Sequence, residues 1–400
     1  MRQFTYQDTL RASYLGYITQ AIINNFAPLL FLIFRDSFNI PLEQITLLIT
    51  INFLTQLVVD MLAIKYVDRI GYKVSIVAAH VFAAAGILGL GIFPMLTEHK
   101  FLALLAAVMT YAVGGGLIEV LISPIVEATP TENKAASMSL LHSFYCWGVV
   151  LVVVCSTLFL HVFGTQSWSI LTGIWALFAL GNAFYYSQVP IAMLTEDGES
   201  MTVKALFSMK TFWLFIILMI SAGASELAMA QWSSAFVESG LGLSKTMGDL
   251  MGPTIFAILM GVARVFYAKY SEQINLLTFI TGRGLLCGAS YLLVIFAPNV
   301  TLSLIGSALC GLSVGILWPG VFSIAAESIP KGGTAMFAIL ALAGDLGCAA
   351  GPSIVGGVSG LFNENLKYGF MVAIIFPITL VSFTLIYRYR QHLRTLLVRV

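Results

Sequence analysis

An all-α membrane protein of twelve transmembrane helices in two pseudo-symmetric six-helix bundles is predicted by three features: the composition, the rhythm of apolar runs, and one polar break near the middle. Of the 400 residues, 59% are hydrophobic and 10% charged, whereas soluble domains carry about 25% charged residues. The chain therefore belongs in a lipid bilayer. Its formal net charge is +1, and without basic runs or interleaved basic and aromatic residues no nucleic-acid partner is expected.

A spanning helix needs about 20 apolar residues at a rise of about 1.5 Å each. Twelve such runs occur, at 12–34, 45–66, 74–95, 101–125, 136–162, 167–189, 211–236, 247–268, 274–297, 300–326, 334–359 and 368–388. An even count places both termini on one side. With the termini inside, only Arg35, Lys100, Lys245 and Lys367 fall in outer loops, and the remaining loop Lys and Arg fall in inner ones. The positive-inside rule then makes both termini cytoplasmic. Arg2 and Arg11 precede the first run and no small-residue cleavage site follows it, so it reads as a retained helix.

The long polar connection from Pro190 to Lys210, with TEDGES at 195–200, divides the chain. Residues 1–190 are expected to form an N-terminal six-helix bundle, 191–210 a cytoplasmic central loop, and 211–400 a C-terminal bundle with a short basic tail. The halves echo each other: VVDMLAIKYVDRIG aligns with GVARVFYAKYSEQIN, setting Lys65 and Tyr66 against Lys269 and Tyr270, Asp68 against Glu272, and Asp60 against Arg264. Duplication of a six-helix unit explains this most simply.

Polar residues at membrane depth are the candidates for chemistry, because an acid at a helix centre costs about 2.5 kcal/mol or more and must face protein or water rather than lipid. Glu119 lies in GGGLIEVLISP, followed after a short break by a helix opening with Ser139, His142 and Tyr145. Glu226 lies near the middle of the seventh run beside Ser225, Gln231 and Trp232. Falling in opposite halves, the two are expected to face each other across a central cavity and to serve as proton carriers. Burial and a like-charged neighbour both favour a neutral carboxyl group.

Asp60 and Arg264, about two turns inside the inner face, read as structural or gating residues. Asp345 stands among Gly344, Gly347, Gly351, Gly356 and Gly357, which permit close backbone approach, and its reading is divided between structure and gating. Pro124 and Pro319 occupy comparable places, in GLIEVLISP and GLSVGILWP, and are expected to kink their helices. The five cysteines lie in apolar runs without CxxC spacing and read as packing residues, so no metal site is expected.

The turn Asp68-Arg69-x-Gly71-x-Lys73 between the second and third runs is a partial copy of the Gly-x-x-x-Asp-Arg-x-Gly-Arg-Lys signature of the major facilitator superfamily, which the chain resembles in architecture. Ile64 stands at the leading glycine position and Tyr72 at one basic position. Within that superfamily the fourth run resembles the fucose-permease-like family of sugar:proton symporters, whose Gly-rich turn, Glu and Asn-Pro correspond to Gly115, Gly116, Glu119, Ser123 and Pro124. The fifth-run polar positions of that family correspond to Ser139, His142, Phe144 and Tyr145. Asn24 and Asn25 are similar to an Asn-Asn pair there, but Pro28 stands where its permeases place an Asp. The resemblance implies proton coupling either through Glu119 alone or with Glu226 as the second carboxylate, and Asp68 and Arg69 are gating or structural candidates. A sugar site combines hydroxyl-binding side chains with an aromatic platform, and Gln20, Asn24, Asn25, His142, Tyr145, Gln231, Trp232 and Trp318 are the substrate-binding candidates. Trp168 and Trp213, at the starts of their runs, are expected at the membrane interface.

The expected function is thus a secondary active transporter moving a small polar solute, a sugar, by proton-coupled alternating access. Its partners would be that solute, protons and the bilayer of a bacterial inner membrane, with the monomer as the working unit. No nucleotide-binding GxxxxGK[ST] or HExxH motif is present, so neither an enzyme nor a cofactor is expected. The alternative is a drug or lipophile:proton antiporter. Such exporters carry an Arg in the fourth span and a Gly-Pro motif in the fifth, and this chain has neither there, although Gly347-x-x-x-Gly351-Pro352 occurs in the eleventh run. A carboxylate in a cavity serves Na⁺ as readily as H⁺, so the residues leave the coupling ion and the direction of transport open.

Overall fold

The computed structural model describes residues 4–40, 42–192, 200–241, 245–362 and 365–398, which form α-helices and one 3-10 turn and no strand. In chain order the helices are α1 (Tyr6–Leu29), α2 (Phe31–Phe38), α3 (Leu42–Ile70), α4 (Tyr72–Leu96), α5 (Lys100–Ala128), α6 (Lys134–Phe163), α7 (Trp168–Gln188) and α8 (Val203–Ser208). They continue with α9 (Lys210–Leu241), α10 (Lys245–Tyr270), α11 (Leu276–Phe296), α12 (Val300–Val314), α13 (Leu317–Ser328), α14 (Gly333–Leu361), α15 (Leu366–Ala373) and α16 (Ile375–Val398). Side-chain oxygens start several of them. Asn275, Asn299 and Asn365 accept backbone N–H bonds from Thr278, Leu302 and Lys367 at 2.9, 3.0 and 3.1 Å, satisfying donors that a helix end leaves unpaired.

Among the described residues ten segments are long and apolar enough to cross a membrane. The first and eighth predicted spans are present as α1 and α10 but are not among those ten. For α1 the reason is visible: Ser13, Thr19 and Gln20 are buried within it, so its polar content serves the interior. Three predicted spans are interrupted. The first breaks at Leu30 into α1 and α2 just after Pro28, the tenth at Gly315 and Ile316 into α12 and α13 ahead of Pro319, and the twelfth at Ile374 into α15 and α16 ahead of Pro377. Pro124, by contrast, lies inside α5 without interrupting it.

The sidedness of α3 identifies its solvent. Asn52, Gln56 and Asp60 recur every four residues and are 4%, 3% and 0% exposed, whereas Phe53, Leu54, Met61 and Leu62 are 51%, 52%, 49% and 51% exposed. Polar groups inside and large apolar groups outside is the reverse of a water-soluble helix, and fits a surface bathed in lipid. On α7 the exposed Ile170, Leu177 and Phe184 recur every seven residues and form one apolar stripe.

The chain divides into two compact units: Met1–Thr131, Phe144–Ser200 and Gly333–Ala338 form the first, and Glu132–Ser143, Met201–Gly332 and Ile339–Val400 the second. In unit 1, α5 packs against α1, α3 and α4, and α4 also packs against α7. In unit 2, α12 packs against α9, α10 and α11, and α11 also packs against α16. Helix for helix the neighbour scheme repeats, which is what duplication of a six-helix unit requires.

Small residues hold these helices close. A Cβ added to Gly86 would stand 2.2 Å from the Tyr111 amide nitrogen, and one on Gly114 would stand 2.4 Å from the Ala79 carbonyl oxygen, so α4 and α5 touch through backbone. In unit 2 a Cβ on Gly347 or Gly351 would meet the carbonyl oxygens of Ile220 and Ala224 at 2.1 and 2.5 Å. Gly114→Leu is expected to lower the unfolding temperature in detergent, with a cost at or above the upper end of the about 1–3 kcal/mol range for overpacking. Gly173→Leu on α7, where nothing lies within 4 Å of the added carbon, is expected to be near neutral in the same thermal scan.

Candidate functional site

Unit 1 gathers six polar side chains from three helices: Gln20 and Asn24 on α1, Asn52, Gln56 and Asp60 on α3, and Glu119 on α5. Each helix brings its residues to one face by one-turn spacing. The Gln20 amide donates to Gln56 Oε1 at 3.0 Å and to Glu119 Oε2 at 3.3 Å. Asn24 Oδ1 accepts from both Gln56 Nε2, at 2.9 Å, and Asn52 Nδ2, at 3.2 Å. Gly115 and Gly116 make the cluster possible: a Cβ on Gly115 would lie 3.0 Å from the Gln56 side chain, and one on Gly116 would lie 3.0 Å from Asp60 Oδ1. Asp60 is fully buried, and neither of its carboxylate oxygens has a hydrogen-bond partner among the described residues.

Unit 2 gathers its charges on the corresponding helices. Arg264 on α10, 3% exposed, donates from Nε to the Gly315 carbonyl at 2.7 Å and from Nη1 to the His142 carbonyl at 2.9 Å. Its Nη2 lies 3.8 Å from Glu226 Oε2 on α9. The Gly315 carbonyl is free to accept because residue 319, four positions on, is proline and has no N–H to give it. The guanidinium thus fills the gap that splits α12 from α13. Ser139 Oγ donates to the Arg264 carbonyl at 2.8 Å. Beside this network the rings of His142 and Phe322 are 5.9 Å apart, and those of Phe322 and Trp318 6.3 Å.

Glu119 and Glu226 therefore belong to different units, each with its own partners. Asp60 and Arg264, expected as structural or gating residues, lie beside Glu119 and Glu226 respectively. Asn25 donates to the Ala21 carbonyl of its own helix at 2.9 Å and takes no part in the cluster. Tyr145 and Asp345 are half-buried, Gln231 is exposed, and the side chain of Trp232 lies outside the described residues. Asp68 accepts from Thr334 Oγ1 at 2.7 Å, and Tyr72 shares that hydroxyl. Arg69 is exposed. Gly71, at φ +91°, makes the turn that follows, a conformation that favours glycine. Trp168, expected at the membrane interface, is 6% exposed because its ring packs edge-on against Phe34 and Phe38. Trp213 is exposed and donates from Nε1 to the Phe207 carbonyl. Sequence reasoning passed over Asn52, Gln56 and Thr334; the four-residue spacing of Asn52, Gln56 and Asp60 was the available signal for the first two.

A family model described as Major Facilitator Superfamily matches residues 13–352. The chain belongs to that superfamily. It is accordingly an integral, multi-pass membrane transporter and not an enzyme. Membrane protein MosC of Rhizobium meliloti is 25% identical over 234 residues, 54% of this chain, and the match spans 56% of MosC, a little over half its length. Among solved structures, FucP in the outward conformation aligns with a TM-score of 0.81 at 16% identity, covering 95% of this chain and 98% of FucP. The proton:xylose symporter XylE aligns at 0.82 with 12% identity over 94% of each chain. The human organic anion transporter MFSD10 aligns at 0.71 with 13% identity, covering 95% of this chain and 99% of that one. These likenesses establish the superfamily fold.

The Arg264 network yields a stability test. Arg264→Met is expected to cost about 3–5 kcal/mol, since Glu226 loses its countercharge and the Gly315 carbonyl its donor. Pro319→Ala supplies an N–H to that carbonyl and, in the Arg264→Met background, is expected to recover about 1–2 kcal/mol while changing the wild type little. A double-mutant cycle on the purified protein measures this, and strict additivity would contradict the carbonyl's role.

Proposed function

We propose that the chain is a secondary active transporter that moves a small polar solute, a sugar, by proton-coupled alternating access. One observation carries the reading: two carboxylates, Asp60 and Glu119, lie among buried amides of a membrane-embedded bundle, and no Lys, Arg or His ion pair reaches either among the described residues. Uncompensated charge at such depth is costly, and residues that retain it are those that exchange an ion. In this reading Glu119 takes the coupling proton, held toward the cluster by the Gln20 amide, and Asp60 is the adjoining acceptor. Glu226, tied to Arg264, is the second carboxylate.

The names of two structural neighbours, the E. coli fucose:proton symporter FucP and the proton:xylose symporter XylE, support a sugar as the solute. Gln20 and Asn24, with His142, Tyr145, Gln231, Trp232 and Trp318, are the proposed solute contacts. Asp68, Arg69, Arg264 and Asp345 are proposed to stabilise or gate the states. The proposed arrangement is an N-terminal bundle at 1–190, a cytoplasmic loop at 191–210 and a C-terminal bundle at 211–400, working as a monomer in a bacterial inner membrane with both termini in the cytoplasm.

The test is uptake of labelled hexoses and deoxyhexoses into proteoliposomes with and without an imposed inward proton gradient. Gradient-driven accumulation in the wild type is expected, and Glu119→Gln is expected to abolish it while preserving solute exchange. Failure of every sugar to move, with a lipophilic cation moving instead, would replace this reading with the proton-coupled exporter.

A further inference from the structure

We propose that buried hydroxyls of unit 1 form a proton path from Glu119 to the membrane face that carries the N-terminus, and that the Ile122 side chain closes it. The proposal rests on the reading of Glu119 as the proton carrier, but it is tested without any solute.

The path follows a seam on α1. Thr9, Ser13, Tyr17 and Gln20 recur at three- or four-residue spacing, so they share one face of the helix. That face is turned inward: the four are 0%, 0%, 7% and 4% exposed. Gln20 meets Glu119 at 3.3 Å. One turn nearer the N-terminus, the Tyr17 hydroxyl lies 3.1 Å from Ser123 Oγ, and Ser123 stands one turn beyond Glu119 on α5. After a further turn, the Tyr186 hydroxyl of α7 donates to Ser13 Oγ at 3.1 Å, and Ser13 Oγ donates to the Thr9 carbonyl at 2.9 Å. The Thr9 hydroxyl donates in turn to the carbonyl of Pro190, a half-buried residue. Hydroxyls thus lead from a dry carboxylate toward solvent.

The chemistry of these groups suits a relay. A hydroxyl accepts a proton on a lone pair while giving up its own to the next acceptor, so one proton passes and the group ends neutral. Helix packing alone asks for less, because a buried Ser or Thr satisfies its own donor on the carbonyl four residues back, as Ser225 and Thr384 do. Ser13 is satisfied in that way and still receives the Tyr186 hydroxyl. The imidazole of His80 borders the path as a wall. Its Nδ1 donates to the Ile76 carbonyl at 2.8 Å, which leaves Nε2 as an acceptor, and the Asn182 amide fills that acceptor at 2.9 Å.

An apolar group stands where the two hydroxyl pairs adjoin. A Cβ on Gly16 would lie 2.3 Å from Ile122 Cδ1 and 3.4 Å from both the Tyr186 hydroxyl and His80 Nε2. The Ile122 methyl therefore occupies a spot against α1 that the Tyr186 hydroxyl also faces, one residue from Tyr17 and one from Ser123. Ile122 is 0% exposed, and a methyl passes no proton. Gly16 gives it a seat, since any side chain there would evict it. A change of Ile122 rotamer, or a small shift of α5 as the transporter changes state, opens the path, so the proton leaves Glu119 only in the state that moves this methyl.

The experiment reconstitutes the full-length protein in liposomes holding a pH-sensitive dye, with the membrane potential clamped by potassium and valinomycin, and follows the dye after an external pH step with no solute present. Wild-type vesicles are expected to stay tight. Ile122→Ala is expected to admit protons about tenfold or more faster than the wild type, without releasing a larger trapped dye. Ile122→Val, which removes the Cδ1 carbon alone, is expected to leak as well and carries the test if the alanine variant does not fold. Adding Tyr186→Phe or Glu119→Gln to either is expected to restore tightness, because each takes away one link and leaves the bulk in place. Tight vesicles with the folded Ile122 variants, a leak that survives Tyr186→Phe or Glu119→Gln, or a leak accompanied by dye release would overturn the path. Sugar uptake that fails in proteoliposomes while the Ile122 leak behaves as described would remove the solute reading and leave the path standing. Proton-driven uptake without that leak would do the reverse.

Discussion

The cost of holding carboxylates out of water governs how unit 1 is built. Asp60 and Glu119 sit in a bundle whose outer surface is lipid, and a charge there is tolerated only when polar groups surround it. That requirement explains why α3 is inverted, with Asn52, Gln56 and Asp60 inward and Phe53, Leu54, Met61 and Leu62 outward. It also explains why α1 is the least apolar of the long unit 1 helices, since Gln20 and Asn24 supply the second wall. The glycines at 115 and 116 complete the enclosure, because any side chain there would collide with Gln56 and Asp60. Remove the two carboxylates, and the amides and glycines have no common purpose.

Unit 2 solves a related problem with opposite charge on the same scaffold. Aligning the duplicated segments sets Asp60 against Arg264, and aligning Pro124 with Pro319 sets Glu119 against Val314. The second half thus has one acid and one base where the first has two acids. Arg264 answers Glu226 and also satisfies the Gly315 carbonyl that Pro319 leaves unpaired. The helices and their neighbours are retained while the buried charge differs between the units.

The fold was legible because each run of apolar residues is an explicit measure of bilayer thickness, and the Pro190–Lys210 connection marks the repeat boundary. Breaks within spans were less visible: proline alone does not decide, since Pro319 follows a break and Pro124 lies in an unbroken helix. Of the site, Gln20, Asn24 and Glu119 could be singled out as polar residues in apolar surroundings. Asn52 and Gln56 carry the same signal at four-residue spacing, but only the packing of α3 against α5 shows that their face, with Asp60, is the one turned inward. The pairing of Glu226 with Arg264, and of Arg264 with a backbone carbonyl on a third helix, depends on packing that no local pattern encodes. The burial of Trp168 at its span start depends likewise on packing, through its contacts with Phe34 and Phe38.

If the cluster must hold two carboxylates without a countercharge, ionising them costs stability, and that cost is visible without any solute. The most direct measurement is thermal unfolding of the purified protein in detergent as a function of pH, compared between the wild type and Asp60→Asn/Glu119→Gln. The account predicts that the wild type loses stability relative to the double variant as pH rises. Parallel curves for the two proteins would contradict it.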